Sequence, residues 1–180
     1  QRLREDRVRL EPLEIVVTDN YAQDQTEVCF SFEKLELNSR KLYQFRNIQA
    51  QGMIDAVFTK CHESFEEEYR SLKNINLVDL VVKPVFSLGK GSLSTSASTD
   101  VTLRLKVAGY GISEFPSRSR SVVRSSFQSA LEAFQFYINC DKAFHKLKGF
   151  LADARSRNRE DVAQDFVSDL ASLTRINSYV

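Results

Sequence analysis

The spacing of hydrophobic and polar positions divides the chain into short alternating stretches and helical ones. Residues 13–18 form an apolar run rich in β-branched side chains, closed by Asp19 and Asn20, which favour a turn. From Glu27 the pattern alternates. Val28, Phe30 and Phe32 share one face and Cys29, Ser31 and Glu33 the other, which predicts a half-buried strand over 27–36. Asn38 and Ser39 mark a hairpin turn, and a returning strand follows at 41–49. Gly52 ends the alternation. Ile54, Val57, Phe58, Cys61, Phe65, Tyr69 and Leu72 then recur at steps of three and four, the mark of an amphipathic helix, with Glu63, Glu66, Glu67 and Glu68 on its wet side.

The same order then repeats. A strand is predicted over 78–88, with Pro84 at a bulge or an edge position. Residues 89–99 read as a loop of small polar residues. The clearest strand covers 100–108: Val101, Leu103, Leu105 and Val107 face inward, and Thr102, Arg104 and Lys106 outward. Gly109-Tyr110-Gly111 turns into a short strand over 112–115. A second helix starts in the capping cluster Ser119 to Ser121 and carries the stripe Val123, Phe127, Ala130, Leu131, Phe134, Tyr137 and Ile138. The expectation is therefore an α+β fold of two consecutive βββα units, at 12–72 and 77–140, whose sheets are covered by helices. A domain over 10–140 would be followed by a C-terminal helical extension over 141–180. The extension has one apolar stripe at Ala143, Phe144, Leu147, Phe150 and Leu151. A second, at Val162, Phe166, Leu170 and Leu173, follows the charged break at 155–161. Such stripes need a covering surface within the chain or on another subunit, which raises the expectation of a homodimer.

Composition narrows the function classes. The chain has 180 residues, of which 42% are hydrophobic, enough for one core or two very small ones. Its 25 basic and 24 acidic side chains nearly cancel, so no overall charge draws it to nucleic acid or to an anionic membrane. No apolar run approaches the roughly 20 residues of a membrane span. The start lacks a methionine and a signal-peptide pattern, so we expect the chain to be part of a longer protein. Cys29, Cys61 and Cys140 are odd in number and widely spaced, which fits reduced thiols in or near a core and a cytoplasmic setting rather than disulfides or zinc. His62 and His145 have no companion at ligand spacing, and the helix glutamates read as a solvated face. Gly89-Lys90-Gly91-Ser92 lacks the spacing of a phosphate loop and leads into a strand. No catalytic constellation, metal site or cofactor motif is present.

Two loops entering helices remain as candidate sites, because the first turn of a helix offers unpaired N–H groups to a carboxylate or phosphate. One runs from Ala50 to Ala56, the other from Ser117 to Ser126. At this point the chain resembles the C-terminal regulatory domain of 2-isopropylmalate synthase and citramalate synthase over about residues 10–140. Residues 10–20 (LEPLEIVVTDN) are similar to that family's opening strand. Gly52-Met53-Ile54-Asp55-Ala56 resembles its Gly-Pro-Val-Asp-Ala helix start. Ser119-Arg120-Ser121-Val122-Val123-Arg124-Ser125-Ser126 resembles its Ser-x-Asp-Ile-x-x-Ala-Ser helix start.

The resemblance implies a homodimerising regulatory domain that binds a branched-chain amino acid, leucine or isoleucine, as feedback effector. It places the effector at Gly52, Ile54, Asp55, Ala56, Ser119, Ser121, Val122 and Ser126, and a separate catalytic domain upstream of Gln1. Two other readings stand beside it. One is a dimerisation or scaffold domain without effector. The other is a phosphate- or nucleic-acid-binding module using Arg118, Arg120, Arg124, Arg104 and Lys106, against which the near-zero net charge argues.

Overall fold

The structure, a computed structural model, describes residues 7–86 and 97–179, save the side chains of Phe86 and Ala97. It is α+β and consists of two βββα units in sequence. The first contains β1 (Arg9–Asn20), β2 (Gln25–Glu36), β3 (Ser39–Ala50) and α1 (Met53–Phe65). A short 3-10 turn (Arg70–Asn74) leads to the second: β4 (Ile75–Phe86), β5 (Ala97–Val107), β6 (Ile112–Ser119) and α2 (Val122–Ser156). Helix α3 (Glu160–Leu173) follows. Each sheet is a three-stranded antiparallel meander, ordered β1-β2-β3 and β4-β5-β6.

The six expected strands and both helix starts are found, and most strands extend past their expected ends. β6 runs to Ser119 rather than 115. Its inward positions are Ser113, Phe115, Ser117 and Ser119, paired with Leu105, Leu103, Val101 and Thr99, and three serines give no hydrophobic alternation to read. β5 begins at Ala97, so the last part of the expected 89–99 loop is strand. The rest of that loop, with Gly89-Lys90-Gly91-Ser92 and the end of the 78–88 strand, lies outside the described residues.

The larger difference is in α2. It continues across residues 140 and 141 for 35 residues, so the expected extension begins as the same helix. It stops at the foreseen charged break. There Asn158 takes a left-handed φ of 55°, and the Asn158 and Arg159 N–H groups bond back to the Arg155 and Ala154 carbonyls. This is the Schellman end that asparagine tolerates among non-glycine residues.

Both sheets contribute to one core. Val28, Phe30 and Phe32 of β2 and Leu103, Leu105 and Val107 of β5 join Val57, Cys61 and Phe65 of α1 and Phe127, Leu131, Phe134, Tyr137 and Ile138 of α2, all essentially inaccessible. Helix α1 covers β2 and β3, whereas α2 covers β5 and β6 and also crosses β1. The stripes expected to need a partner are partly covered within the chain. Leu147 is buried, Phe144 stacks on Tyr179 at 4.6 Å, and Phe150 meets Phe166 of α3 at 5.8 Å.

Polar clamps fix how α2 lies on the first sheet. The Asn139 amide accepts from Val8 N–H at 2.8 Å and donates to Val8 C=O at 2.9 Å, imitating a neighbouring strand. One turn earlier, Gln135 accepts from Leu10 N–H at 2.9 Å. Lys34 reaches inward from β2 with only 5% of its surface exposed. Its ammonium donates to both Glu68 oxygens at 3.0–3.1 Å and to the Tyr69 hydroxyl at 2.8 Å, with Glu36 at 3.6 Å. Lys142 of α2 donates to Glu36 at 2.9 Å, so the network spans β2, α2 and the segment after α1.

Burial opposes ionisation of Glu36, but the Lys142 hydrogen bond and the field of Lys34 overcome it and hold the carboxyl below its ordinary value of 4.5. A carboxylate whose folded-state pKa is lowered contributes stability at pH above the unfolded value and loses it as pH falls through the folded one. Urea unfolding of the parent chain and Glu36→Gln should therefore differ most above pH 4.5 and converge as pH drops further. A difference that stays constant over that range would contradict the network's role.

Candidate functional site

The two helix-start loops differ in construction. At the first, Gly52 is the N-cap of α1 with extended backbone (φ −170°) and no side-chain cap. Beyond Gly52's own chain neighbours and helix backbone, no atom lies within 4 Å of where a Cβ would stand on Gly52, so the space there is open. Asp55 is exposed in the first turn, where the helix dipole favours a carboxylate. Ile54 packs partly buried against the core, and Ala56 is a core residue. Gly52 caps the helix and Ile54 and Ala56 pack on the core, while Asp55 stays exposed.

At the second loop the serines are joined. Ser121 is the N-cap of α2, and its hydroxyl accepts from Arg124 N–H at 3.3 Å. The Ser119 hydroxyl accepts from Ser121 N–H at 3.1 Å and lies 2.8 Å from the hydroxyl of Ser125, which is fully buried. Ser126 is also fully buried, and its hydroxyl has no hydrogen-bond partner among the described residues. Val122 is 43% exposed on the outer side of the turn. No hydrogen bond links this loop to the first one among the described residues, so Gly52, Ile54, Asp55 and Ala56 form no common hydrogen-bonded site with Ser119, Ser121, Val122 and Ser126.

Beside the second loop lies a groove of about 620 Å³ between β1 and the first two turns of α2. Its β1 wall is Pro12, Leu13, Glu14 and Ile15, and its α2 wall is Ser121, Val123, Arg124, Phe127 and Gln128. Only Ser121 among the eight expected site residues lines it. The β1 wall is irregular: the register with β2 shifts between Pro12 and Glu14, so Leu13 bulges and stands 54% exposed. The groove thus brings together one cation, one carboxylate and an apolar lining. On the α2 wall the capping serines mark Ser121 alone among the expected site residues. The β1 wall is missed because a bulge beside a proline interrupts the alternation that would mark it.

Other chemistry-bearing residues have structural partners. His62 bridges α1 to the 3-10 turn through the Leu72 carbonyl at 3.1 Å and Glu66 at 2.9 Å. The Ser71 hydroxyl donates to buried Asp141, which has His145 at 3.5 Å on its other oxygen. Asn177 donates to the Ser71 carbonyl at 2.9 Å and thereby seats the C-terminal tail. All three cysteines are free thiols, and burial pushes Cys140 up to about 11 and Cys61 further still. Two arginines of the phosphate-binding reading are ion-paired: Arg118 with Asp100, and Arg104 with Glu114 at 2.9 Å and Asp79 at 3.7 Å. No group of three or more metal-ligating side chains occurs among the described residues, and no helix there is long and apolar enough to cross a membrane.

No protein-family model matches the chain, and no curated protein matches it in sequence.

The Ser121 cap holds the α2 wall of the groove in place. Ser121→Ala should lower stability by about 1 kcal/mol in urea unfolding, and Ser121→Asp should restore it. Equal stability of the alanine variant and the parent would remove the cap from this account.

Proposed function

We propose that the chain is a dimerising regulatory domain resembling that of the 2-isopropylmalate and citramalate synthases, and that it binds a branched-chain amino acid, leucine or isoleucine, as effector. The groove between β1 and α2 is the binding site in this reading. One observation carries it: the groove is lined by Arg124, Glu14 and the apolar side chains of Leu13, Ile15, Val123 and Phe127. A zwitterionic aliphatic amino acid needs those three kinds of partner. Its carboxylate would pair with the Arg124 guanidinium, a planar fork suited to two parallel hydrogen bonds. Its ammonium would pair with Glu14, and its branched end would displace water from the apolar wall.

This moves the effector away from the α1 loop, where Gly52 caps the helix and Ile54 and Ala56 belong to the core. Dimerisation and an upstream catalytic domain enter the reading chiefly through the resemblance, since the helical stripes that suggested a second subunit are partly covered within the chain. A cytoplasmic setting fits the three unpaired thiols.

Calorimetry at about millimolar leucine, isoleucine and valine tests the proposal, together with melting curves, because a ligand that binds only the folded state raises the melting temperature. We expect saturable heat for at least one of them, and a roughly tenfold or greater loss of affinity in Arg124→Ala and in Glu14→Gln. Absence of heat and of any melting shift with all three would refute effector binding. Light scattering at micromolar concentration addresses dimerisation separately: the expected species is the dimer, and a monomer would remove that part.

A further inference from the structure

Two three-stranded sheets have four edge strands: β1, β3, β4 and β6. An exposed edge offers unpaired N–H and C=O groups to any other extended chain, and proline is one way to block it. The chain has three prolines, and each stands on an edge strand: Pro12 on β1, Pro84 on β4 and Pro116 on β6. β1 is covered further by Asn139 and Gln135 of α2, and β4 is interrupted again by a register shift between Leu77 and Asp79. The fourth edge, β3, has no proline. From Ser39 to Phe45 its register against β2 is unbroken for seven residues, and the irregularity begins only beyond Phe45, where Asn47 takes a φ of 53°. Among the described residues no further strand pairs with β3.

Charge selects what could pair there. β3 (SRKLYQFRNIQA) contains Arg40, Lys41 and Arg46 and no acidic residue. Arg40 is held by Glu33 of β2, while Lys41 lies 4.8 Å over the Tyr43 ring. Two copies of β3 side by side would bring four cations together, Lys41 and Arg46 of each, beside the Arg40–Glu33 pairs and without a carboxylate from either strand. An extended peptide with acidic residues would instead find complementary charge along a ladder of backbone groups.

We propose that the β3 edge, over Ser39 to Phe45, is a strand-addition site for an acidic extended segment of a partner protein. It lies on the opposite side of the first sheet from β1 and its groove. The partner's backbone supplies the ladder hydrogen bonds, and its carboxylates meet Lys41 on the face shared with Tyr43 and Phe45 and, just past the regular register, Arg46 on the other face.

The test uses a labelled eight-residue peptide of glutamates and valines with glutamates on both faces of the strand, with three comparisons: its lysine counterpart, the same acidic peptide N-methylated at alternate residues, and the Lys41→Glu/Arg46→Glu variant. The acidic peptide should bind, slow hydrogen exchange at alternate amides of Ser39 to Phe45, and weaken as salt rises. The N-methylated and lysine peptides should not bind. The charge-reversed variant, with an unchanged circular dichroism spectrum, should bind the acidic peptide about tenfold more weakly or worse. Three outcomes overturn the proposal: equal binding of the N-methylated peptide, no change in β3 exchange, or β3 protection that grows with protein concentration without peptide. The last would make a second copy the occupant.

Discussion

The fold depends on the burial of α2. A helix of 35 residues is about 50 Å long, more than one three-stranded sheet can cover. Its first half is buried all along one side, from Phe127 through Leu131 and Phe134 to Ile138, and those residues touch a core fed by both sheets. Its second half is covered by α3 and by the returning tail, through Leu147, the Phe150–Phe166 contact and the Phe144–Tyr179 stack. Neither sheet could bury its inner face alone. The aromatic face of β2, with Phe30 against Phe127 at 5.6 Å, is completed by a helix that belongs to the second unit.

Apolar burial does not fix register, because it is nearly indifferent to small rotations of a helix. The polar contacts supply that. Asn139 and Gln135 match the backbone of β1 at Val8 and Leu10, and a rotation of α2 would leave these groups unpaired away from water. Lys34 demands Glu68, Tyr69 and Glu36 in place, and Asp141 demands Ser71. The groove depends on this docking, since one wall is β1 and the other is α2. Shifting the helix would move Arg124 off the groove that Glu14 lines from the other side.

The sequence pattern made most of the fold legible. Val28 to Phe32 and Val101 to Val107 alternate cleanly because each strand is central in its sheet, with one face buried. Legibility fails where inward positions are not hydrophobic, as at Ser113, Ser117 and Ser119 of β6, and where a bulge shifts the period, as at Leu13. The 155–161 break was visible in its charges. The continuity of α2 through Cys140 was less so, because Asp141, Lys142 and His145 interrupt the stripe with polar groups that find partners only in the folded chain. Of the groove's lining only Ser121 stands among the expected site residues. Capping serines mark a helix start from local sequence, but the strand opposite is brought there by contacts more than a hundred residues apart in sequence, of which Asn139 to Val8 is one.

If α2 makes one core of both units, weakening it at a shared position must loosen both sheets together. Leu131 is fully buried in that core. Native-state hydrogen exchange on Leu131→Ala, a truncation expected to cost about 2–5 kcal/mol, reads this directly. The account predicts equal losses of protection for the β2 amides from Val28 to Phe32 and the β5 amides from Val101 to Leu105. Loss confined to β5, with β2 as protected as in the parent chain, would contradict it.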